Sequence, residues 1–421
     1  MYKFLQGRLI LVRVIMLAAM LALIAVGIAN IYAVGHPAQT ARITEQGLWK
    51  KQVVFAGIGF AAFLAVNTVS YRRFGSVSYA IYAAVLVLLG VLLLDRFVDI
   101  SIAGIVTVPV RNGTRRWIVM GAGGKEVSLQ VSEFCKIAYI LALSWYLRYR
   151  SNYRKFTGLI GPFALTLLPM VLILLEPDLG TVILMMPILF LMLFMVGAKG
   201  KHLLIIILMA LLISPILWHK MKPYQRVRIG SLVLQNEWVR QQAAEHPALA
   251  KVLVGENKFS EKEWKRGAGF HLIRSKYAIA SGGLRGYGFR QGPFVKYNFL
   301  PERHNDFIFA TIAHQWGFWG CLALLSLYGI LIACGIEIAA NNTDPFGRLI
   351  AVGIVGMFTV MVLVNISMTL GLMPITGLTL PLVSYGGSSL LVSMVAVGLL
   401  NNVGRCRPFG ISRKRSKSDD I

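Results

Sequence analysis

The chain has 421 residues, 56% of them hydrophobic and only 14% charged, with 43 Lys and Arg against 18 Asp and Glu. A soluble globular domain carries about a quarter charged residues, so the composition excludes an ordinary soluble fold. The net charge of +25 falls between apolar segments and in the tail "RCRPFGISRKRSK"; topology signals, anionic lipid and phosphate-bearing substrates account for that placement better than nucleic acid, which is not an expected partner.

Taken in chain order, ten segments have the length and composition of spans: 9–34, 52–70, 76–94, 133–147, 157–175, 179–197, 202–218, 307–336, 349–370 and 381–403. A spanning helix needs about 20 mostly apolar residues, which predicts an all-α polytopic membrane protein. The first segment is too long for a signal-peptide core and has no clear cleavage site. An even count puts both termini on one side. The tail beyond Asn402 carries six Lys and Arg, which makes that side cytoplasmic. The basic turns "YRRFG", "RYRSNYRK" and "AKGKH" then fall inside, while the basic loop 95–132 falls outside as an exception. The predicted organisation is a transmembrane domain over 1–403 and a basic cytoplasmic tail over 404–421. The four cysteines, Cys135, Cys321, Cys334 and Cys406, show neither metal spacing nor a disulfide framework.

The seventh and eighth spans are separated by a long extracytoplasmic connection, 219–306. Long connections of this kind are usually functional or disordered. Its first part, 231–268, reads as a polar surface insert with helical stretches. The second, 270–306, is aromatic, glycine-rich and basic, and reads as a site loop.

With so few carboxylates, each can be placed. Asp419, Asp420, Glu337 and Asp344 fall on the cytoplasmic side; Glu237, Glu245, Glu256, Glu261 and Glu263 belong to the insert; Glu45, Asp95, Asp99 and Glu126 lie in outer loops. Glu133, Glu176, Asp178, Glu302 and Asp306 remain at apolar edges, where an ionisable group is costly and marks a site or a paired contact. Asp306, at the start of the eighth span, fits either a helix N-cap or a general base facing a wet cavity. "EPDLGT" (176–181) fits a turn with an Asp178 cap. "SEFCK" (132–136) places Glu133 and Lys136 on one helix face, as a neutralising pair within the bundle. "SGGLRGYG" (281–288) is either a flexible loop or a backbone cradle for phosphate around Arg285; Arg274, Lys276, Arg290 and Lys296 crowd the same stretch and point to a polyanion such as a diphosphate. "SYGGSS" (384–389), with Ser384, reads as close helix packing. His304 and His314 have no third ligand nearby, so no metal site is expected there.

In order along the chain, "RNGTRRWI" (111–118), "LQVSEFCK" (129–136), "EPDLGT" (176–181), "KPYQRVRI" (222–229), "SKYAIASGGLRGYG" (275–288), "FLPERHNDFIFA" (299–310) and "NISMTLGLMPITGLTLPLVSYGGSSLL" (365–391) resemble the SEDS family of bacterial cell-wall glycosyltransferases, whose members include RodA, FtsW and SpoVE. The resemblance covers almost the whole chain. It implies ten spans with a large outer loop between the seventh and eighth, and polymerisation of lipid II into glycan strands. It puts the catalytic carboxylate on Asp306, and the substrate and its diphosphate near Arg116, Lys136, Gln225, Arg226, Ser275, Lys276, Arg285 and His304. Arg111 and Arg115 join Arg116 in the outer loop. The implied partners are lipid II, the growing strand, a class B penicillin-binding protein and the bacterial cytoplasmic membrane. No organic cofactor is expected; a divalent cation, Mg or Mn, is an alternative to Arg and Lys for meeting the leaving diphosphate. The sequence departs from the family pattern at Asn305, where Thr is usual, at Val131, where Pro is usual, and at His314-Gln315, which replace an acidic pair. "LPERH" leans toward an elongation enzyme of RodA type over a division enzyme of FtsW type. A flippase for lipid-linked sugars and a non-catalytic scaffold for a transpeptidase are the rival readings.

Overall fold

The structure, a computed structural model, describes residues 2–36, 47–95, 106–109, 116–121, 127–150, 152–221, 223–255, 258–297 and 299–405. Glu45, Asp99, Arg111, Arg115, Glu126, Glu256, Cys406 and the tail with Asp419 and Asp420 lie outside these residues.

The long apolar segments fold as helices because only a helix closes every backbone hydrogen bond within the segment. α1 (Tyr2–Gly35), α2 (Leu48–Thr68) and α3 (Tyr71–Leu94) come first. A small antiparallel sheet follows, β1 (Val106–Thr107), β2 (Trp117–Met120) and β3 (Val127–Gln130), with Val106 opposite Met120 and Trp117 opposite Gln130. Then come α4 (Val131–Leu147), α5 (Ile160–Leu175), α6 (Leu179–Val196) and α7 (Gly200–Lys220). The connection that follows holds α8 (Pro223–Val233), α9 (Glu237–Glu245), α10 (Pro247–Val254), α11 (Glu261–Arg266), α12 (Ala268–Gly282) and α13 (Pro293–Lys296). α14 (Ile308–Asn341), α15 (Pro345–Leu370) and α16 (Gly387–Arg405) close the chain. Among the described residues, eight helices are long and apolar enough to cross a membrane: α1, α2, α3, α5 with the short turn before it, α6, α14, α15 and α16. α4, at 17 residues, and the apolar stretch Gly200–Ile216 of α7 are shorter.

The centre of the bundle is α4, α15 and α16. α4 and α15 are buried along nearly their whole length. α2 lies against α16, α3 against α4, α6 against α15, and α1 and α12 against α14. The outward faces of α2, α5 and α7 carry exposed Val, Leu, Ile and Phe, the apolar surface that lipid covers.

Four sequence expectations are corrected here. The fold is not purely helical, since the loop 95–132 contains the sheet. Its strands are two to four residues long, too short for alternation to show. The insert is not merely solvated: Leu234, Ala243, Ala250, Phe259 and Trp264 form a small core of their own, and Trp264 Nε1 donates to Ser231 Oγ at 3.1 Å. The stretch 270–306 opens not as a loop but as α12, 15 residues long. Asp95, expected in an outer loop, is buried at the end of α3.

α14 is broken at Gly317, whose φ of +63° and ψ of −158° are non-helical. A Cβ at Gly317 would lie 2.5 Å from Gly286 N and 2.6 Å from Leu284 O, so the turn after α12 can approach only a glycine. Gly317→Ala should therefore destabilise the protein by roughly 1–3 kcal/mol, the cost of a strained backbone conformation, read as a lower melting temperature in detergent. An unchanged melting temperature would contradict the close approach.

Candidate active site

Asp306 lies in the turn 301–307, just before α14. The helix starts behind Phe307, which makes no side-chain cap, so the carboxylate of Asp306 is not spent on capping. The turn is held through its backbone. Asn365 Nδ2 on α15 donates to Asp306 O at 3.1 Å and to Leu378 O at 2.7 Å. Ser384 Oγ donates to Asn305 O at 2.8 Å and accepts from Leu380 N at 2.8 Å. Tyr385 N donates to His304 O at 2.9 Å. Two non-glycine residues in these turns adopt left-handed backbone, Glu302 at φ +50° and Leu382 at φ +68°. Such conformations persist only where surrounding contacts impose them, and they gather at functional sites.

The Asp306 side chain is half-buried. Among the described residues its carboxylate accepts no hydrogen bond and forms no ion pair. A Cβ on Gly377 would stand 3.6 Å from Asp306 Oδ2, so the missing side chain keeps that oxygen open. Burial pushes the carboxyl up to about 7; the charges of Glu302 and Asp178 push the same way, and Arg228 and Arg116 pull it down. A carboxylate poised near neutrality and not engaged elsewhere has the properties of a general base.

The second acidic element is the turn between α5 and α6. Asp178 caps α6, accepting from Thr181 N at 3.4 Å and Thr181 Oγ1 at 3.1 Å. Asp178 Oδ2 also accepts from Ser132 Oγ at 2.8 Å and from Gln130 Nε2 at 3.3 Å, which stitches the starts of α4 and α6 together. Arg116, just before β2, donates from Nε to Glu176 O at 2.8 Å and from Nη2 to Pro177 O, and its Nη1 lies 3.9 Å from Asp178 Oδ1. Glu176 is buried and both carboxyl oxygens lack a hydrogen-bond partner among the described residues. Burial lifts it to about 8, with Asp178 adding to the rise and Arg116 opposing it. On α4, Lys136 Nζ lies 2.7 Å from Glu133 Oε1, and both side chains are buried.

Among the described residues no three His, Cys, Asp or Glu side chains converge as ligands.

The family model for the cell cycle proteins FtsW, RodA and SpoVE matches residues 10–407. The chain belongs to the FtsW/RodA/SpoVE family. It is 33% identical to peptidoglycan glycosyltransferase RodA of Treponema pallidum, with 92% of this chain and 96% of that protein covered. It is 35% identical to stage V sporulation protein E of Bacillus subtilis, covering 85% and 86%, and 36% identical to peptidoglycan glycosyltransferase MrdB of Escherichia coli, covering 70% and 72%. Among solved structures it resembles a chain from work on "structural coordination of polymerization and crosslinking by a peptidoglycan synthase complex", with a TM-score of 0.69, 30% identity and coverage of 93% and 96%. The crystal structure of the rod shape determining protein RodA of Thermus thermophilus gives 0.60, 29%, and 93% and 95%.

Within this FtsW/RodA/SpoVE member, the residues expected at the site do not all meet. Asp306, Asp178 and Arg116 interact electrostatically, and the His304 ring stands edge-on to Tyr385 at 5.8 Å. Ser275 is buried and donates to Thr369 O at 2.8 Å, so it ties α12 to α15. Lys276 Nζ donates to Gln235 Oε1 at 3.1 Å. On α8, beside Gln225, the Arg226 Nε donates to Trp218 O at 3.1 Å. Arg285 is exposed in a turn whose backbone is bound to α14 at 314–319, roughly 12–20 Å along the helix from Asp306 at about 1.5 Å per residue. Of the two readings of "SGGLRGYG", flexible loop or phosphate cradle, the cradle has three fewer donors: Gly286, Tyr287 and Gly288 donate their N–H groups to Gly282 O, His314 O and Gln315 O. His314 and Gln315 are buried in a neutral network, with His314 Nδ1 2.8 Å from Ser281 Oγ and Gln315 Nε2 donating to Asn30 Oδ1 at 2.7 Å. Sequence reading missed Arg228, Asn365 and Gly377. Arg228 lies two residues beyond Arg226, and on a helix that spacing points it to another face, toward Asp306 rather than Trp218. Asn365 acts through backbone carbonyls and Gly377 through what it lacks, and neither leaves a motif.

Proposed function

We propose that this chain is a peptidoglycan glycosyltransferase that polymerises lipid II, with Asp306 as the general base. The observation that carries the reading is the open, unpaired carboxylate of Asp306, poised near pH 7, in a chain whose relatives bear that activity in their names. Asp306 takes the proton from the attacking sugar hydroxyl. The new bond forms at the anomeric carbon of the other sugar as that carbon's bond to the diphosphate oxygen breaks, and the electron pair leaves with the polyprenyl diphosphate. A single displacement inverts the centre, so an α-linked donor yields a β-linked glycan. The leaving diphosphate needs positive charge rather than a proton donor. Arg116 and Arg228 supply it beside Asp306. Lys136, paired to Glu133, is the further candidate; Arg285 stands at a distance from Asp306 and is not one.

The topology that serves this chemistry has ten crossings, with α4 and α7 joining the eight longer helices. Both termini are then cytoplasmic, and the site opens on the extracytoplasmic face of the bacterial inner membrane. The growing glycan strand is the co-substrate. The chemically natural partner is a class B penicillin-binding protein, which cross-links the strand it makes; the complex in which the similar solved chain was studied supports this. "LPERH" (300–304) supports a role in elongation, and a fluorescent fusion should mark the sidewall rather than midcell.

The direct test is incubation of the purified chain with lipid II in detergent. Glycan polymer should form without any bilayer to cross. Its absence, in a folded preparation supplied with its transpeptidase partner, would favour transport of the lipid or a scaffold role.

A further inference from the structure

The turn after α12 is bound to α14 just where α14 starts to face outward. Phe318 N donates to Gly283 O at 2.9 Å and Trp319 N to Leu284 O at 3.4 Å. Before this point α14 is buried from Ile308 through Gln315. Phe318 and Trp319, 54% and 61% exposed, are the first large apolar side chains it presents outward. From there to Asn341 the helix rises about 36 Å, enough to cross a hydrocarbon core of about 30 Å. The lipid-facing part of α14 therefore begins at Phe318, and that fixes the depth of the loop bound to it. Leu284, 68% exposed, stands at the same level. A turn of helix higher, Arg290 N donates to Gln315 Oε1 at 2.9 Å, and its Nη2 donates to His36 O at 3.1 Å, just past the end of α1. The loop lies across the ends of two spans on the same face of the protein.

Its chemistry suits that position. Between Glu263 and Glu302 there is no Asp or Glu, but there are seven Lys and Arg. Tyr287, Phe289 and Tyr297 are exposed among them. Aromatic rings mixed with long cationic side chains are the composition of a membrane interface.

We propose that the loop 283–297 is an interfacial clamp for anionic phospholipid. Leu284, Phe318 and Trp319 enter the acyl boundary, and Arg285 and Arg290 meet headgroup phosphates. A lipid-linked diphosphate offers similar phosphate oxygens, but the distance from Asp306 separates this loop from the reacting centre. Bulk phospholipid is the occupant. The assignment holds whether or not Asp306 is the base.

The test uses the full chain in nanodiscs, with an environment-sensitive fluorescent amino acid at position 284, and at exposed position 262 in the insert as reference. Phosphatidylcholine or phosphatidylglycerol brominated high on the acyl chain is added as a minor component, and iodide serves as the aqueous quencher. The probe at 284 should be quenched by bromolipid and shielded from iodide, and the probe at 262 the reverse. Brominated phosphatidylglycerol should quench at lower mole fraction than brominated phosphatidylcholine. Arg285→Gln should reduce that preference by about fivefold, the factor one basic residue near an anionic surface contributes, and Arg285→Lys should retain most of it. Iodide access at 284 equal to that at 262 would overturn the membrane placement. Equal quenching by the two bromolipids, or a preference unmoved in Arg285→Gln, would overturn the anionic clamp. Loss of bromolipid quenching at 284 on adding lipid II would assign the loop to substrate instead.

Discussion

Asp306→Asn should lower the rate of lipid II polymerisation by about 100- to 10,000-fold, the usual cost of removing a general base, with little change in melting temperature. The amide is nearly isosteric with the carboxylate. No hydrogen bond to the side chain is lost among the described residues, and the backbone bonds from Asn365 and Ser384 that hold the turn do not depend on it. The substitution also removes a carboxylate that burial disfavours as a charge, so the folded state has no reason to suffer. Initial rates of glycan formation by purified wild type and variant, with melting curves on the same samples, separate the two effects. A variant that polymerises at near the wild-type rate shows that another group takes the proton. A variant that loses activity together with its fold shows that the carboxylate has a structural role the geometry does not contain.

Glu133 and Lys136 should show strong coupling in a double-mutant cycle. Their charges are 2.7 Å apart and both side chains are shielded in α4. Glu133→Gln leaves an ammonium without its counter-charge, and Lys136→Met leaves a carboxylate. Breaking a buried pair from one side costs about 3–5 kcal/mol, while replacing both members is often much milder. Each single variant should therefore melt well below the wild type, and the double variant should regain a good part of the loss. Activity divides the possible roles of Lys136. If its ammonium only neutralises Glu133, the double variant recovers activity along with stability. If it also meets the lipid diphosphate, the double variant is stable yet inactive and binds lipid II weakly. Simple addition of the two losses would show that the pair is not coupled.

Eight of the ten expected spans were legible as long apolar helices, because a bilayer demands them and the sequence supplies them with basic turns between. The Glu133–Lys136 pair was legible for a related reason: three residues apart on a helix, opposite charges face each other wherever the helix lies. The sheet in the loop 95–132 was not legible, because strands of two to four residues carry no period. Nor was the fate of "SGGLRGYG". A glycine-rich stretch beside an arginine reads as a loop or a phosphate cradle alike, and the bonds of Tyr287 N and Gly288 N to α14 join residues about thirty positions apart. The same limit hid Arg228 and Gly377, which come to Asp306 only through the packing of α8 and the turn after α15. The carboxylate itself stood out from its neighbours because charge at the end of an apolar helix is expensive.

The most direct measurement is the pH dependence of polymerisation at lipid II well below saturation, where the rate reports ionisation of the free enzyme. Asp306 must be ionised to accept a proton, and its carboxyl titrates at about 7. Below that pH the rate should rise about tenfold per unit as the ionised fraction grows, reach half its maximum near pH 7, and level off above it; the residual rate of Asp306→Asn should lack this step. A wild-type rate that is flat between about pH 5 and 8, or a step that persists in Asp306→Asn, would contradict Asp306 as the base.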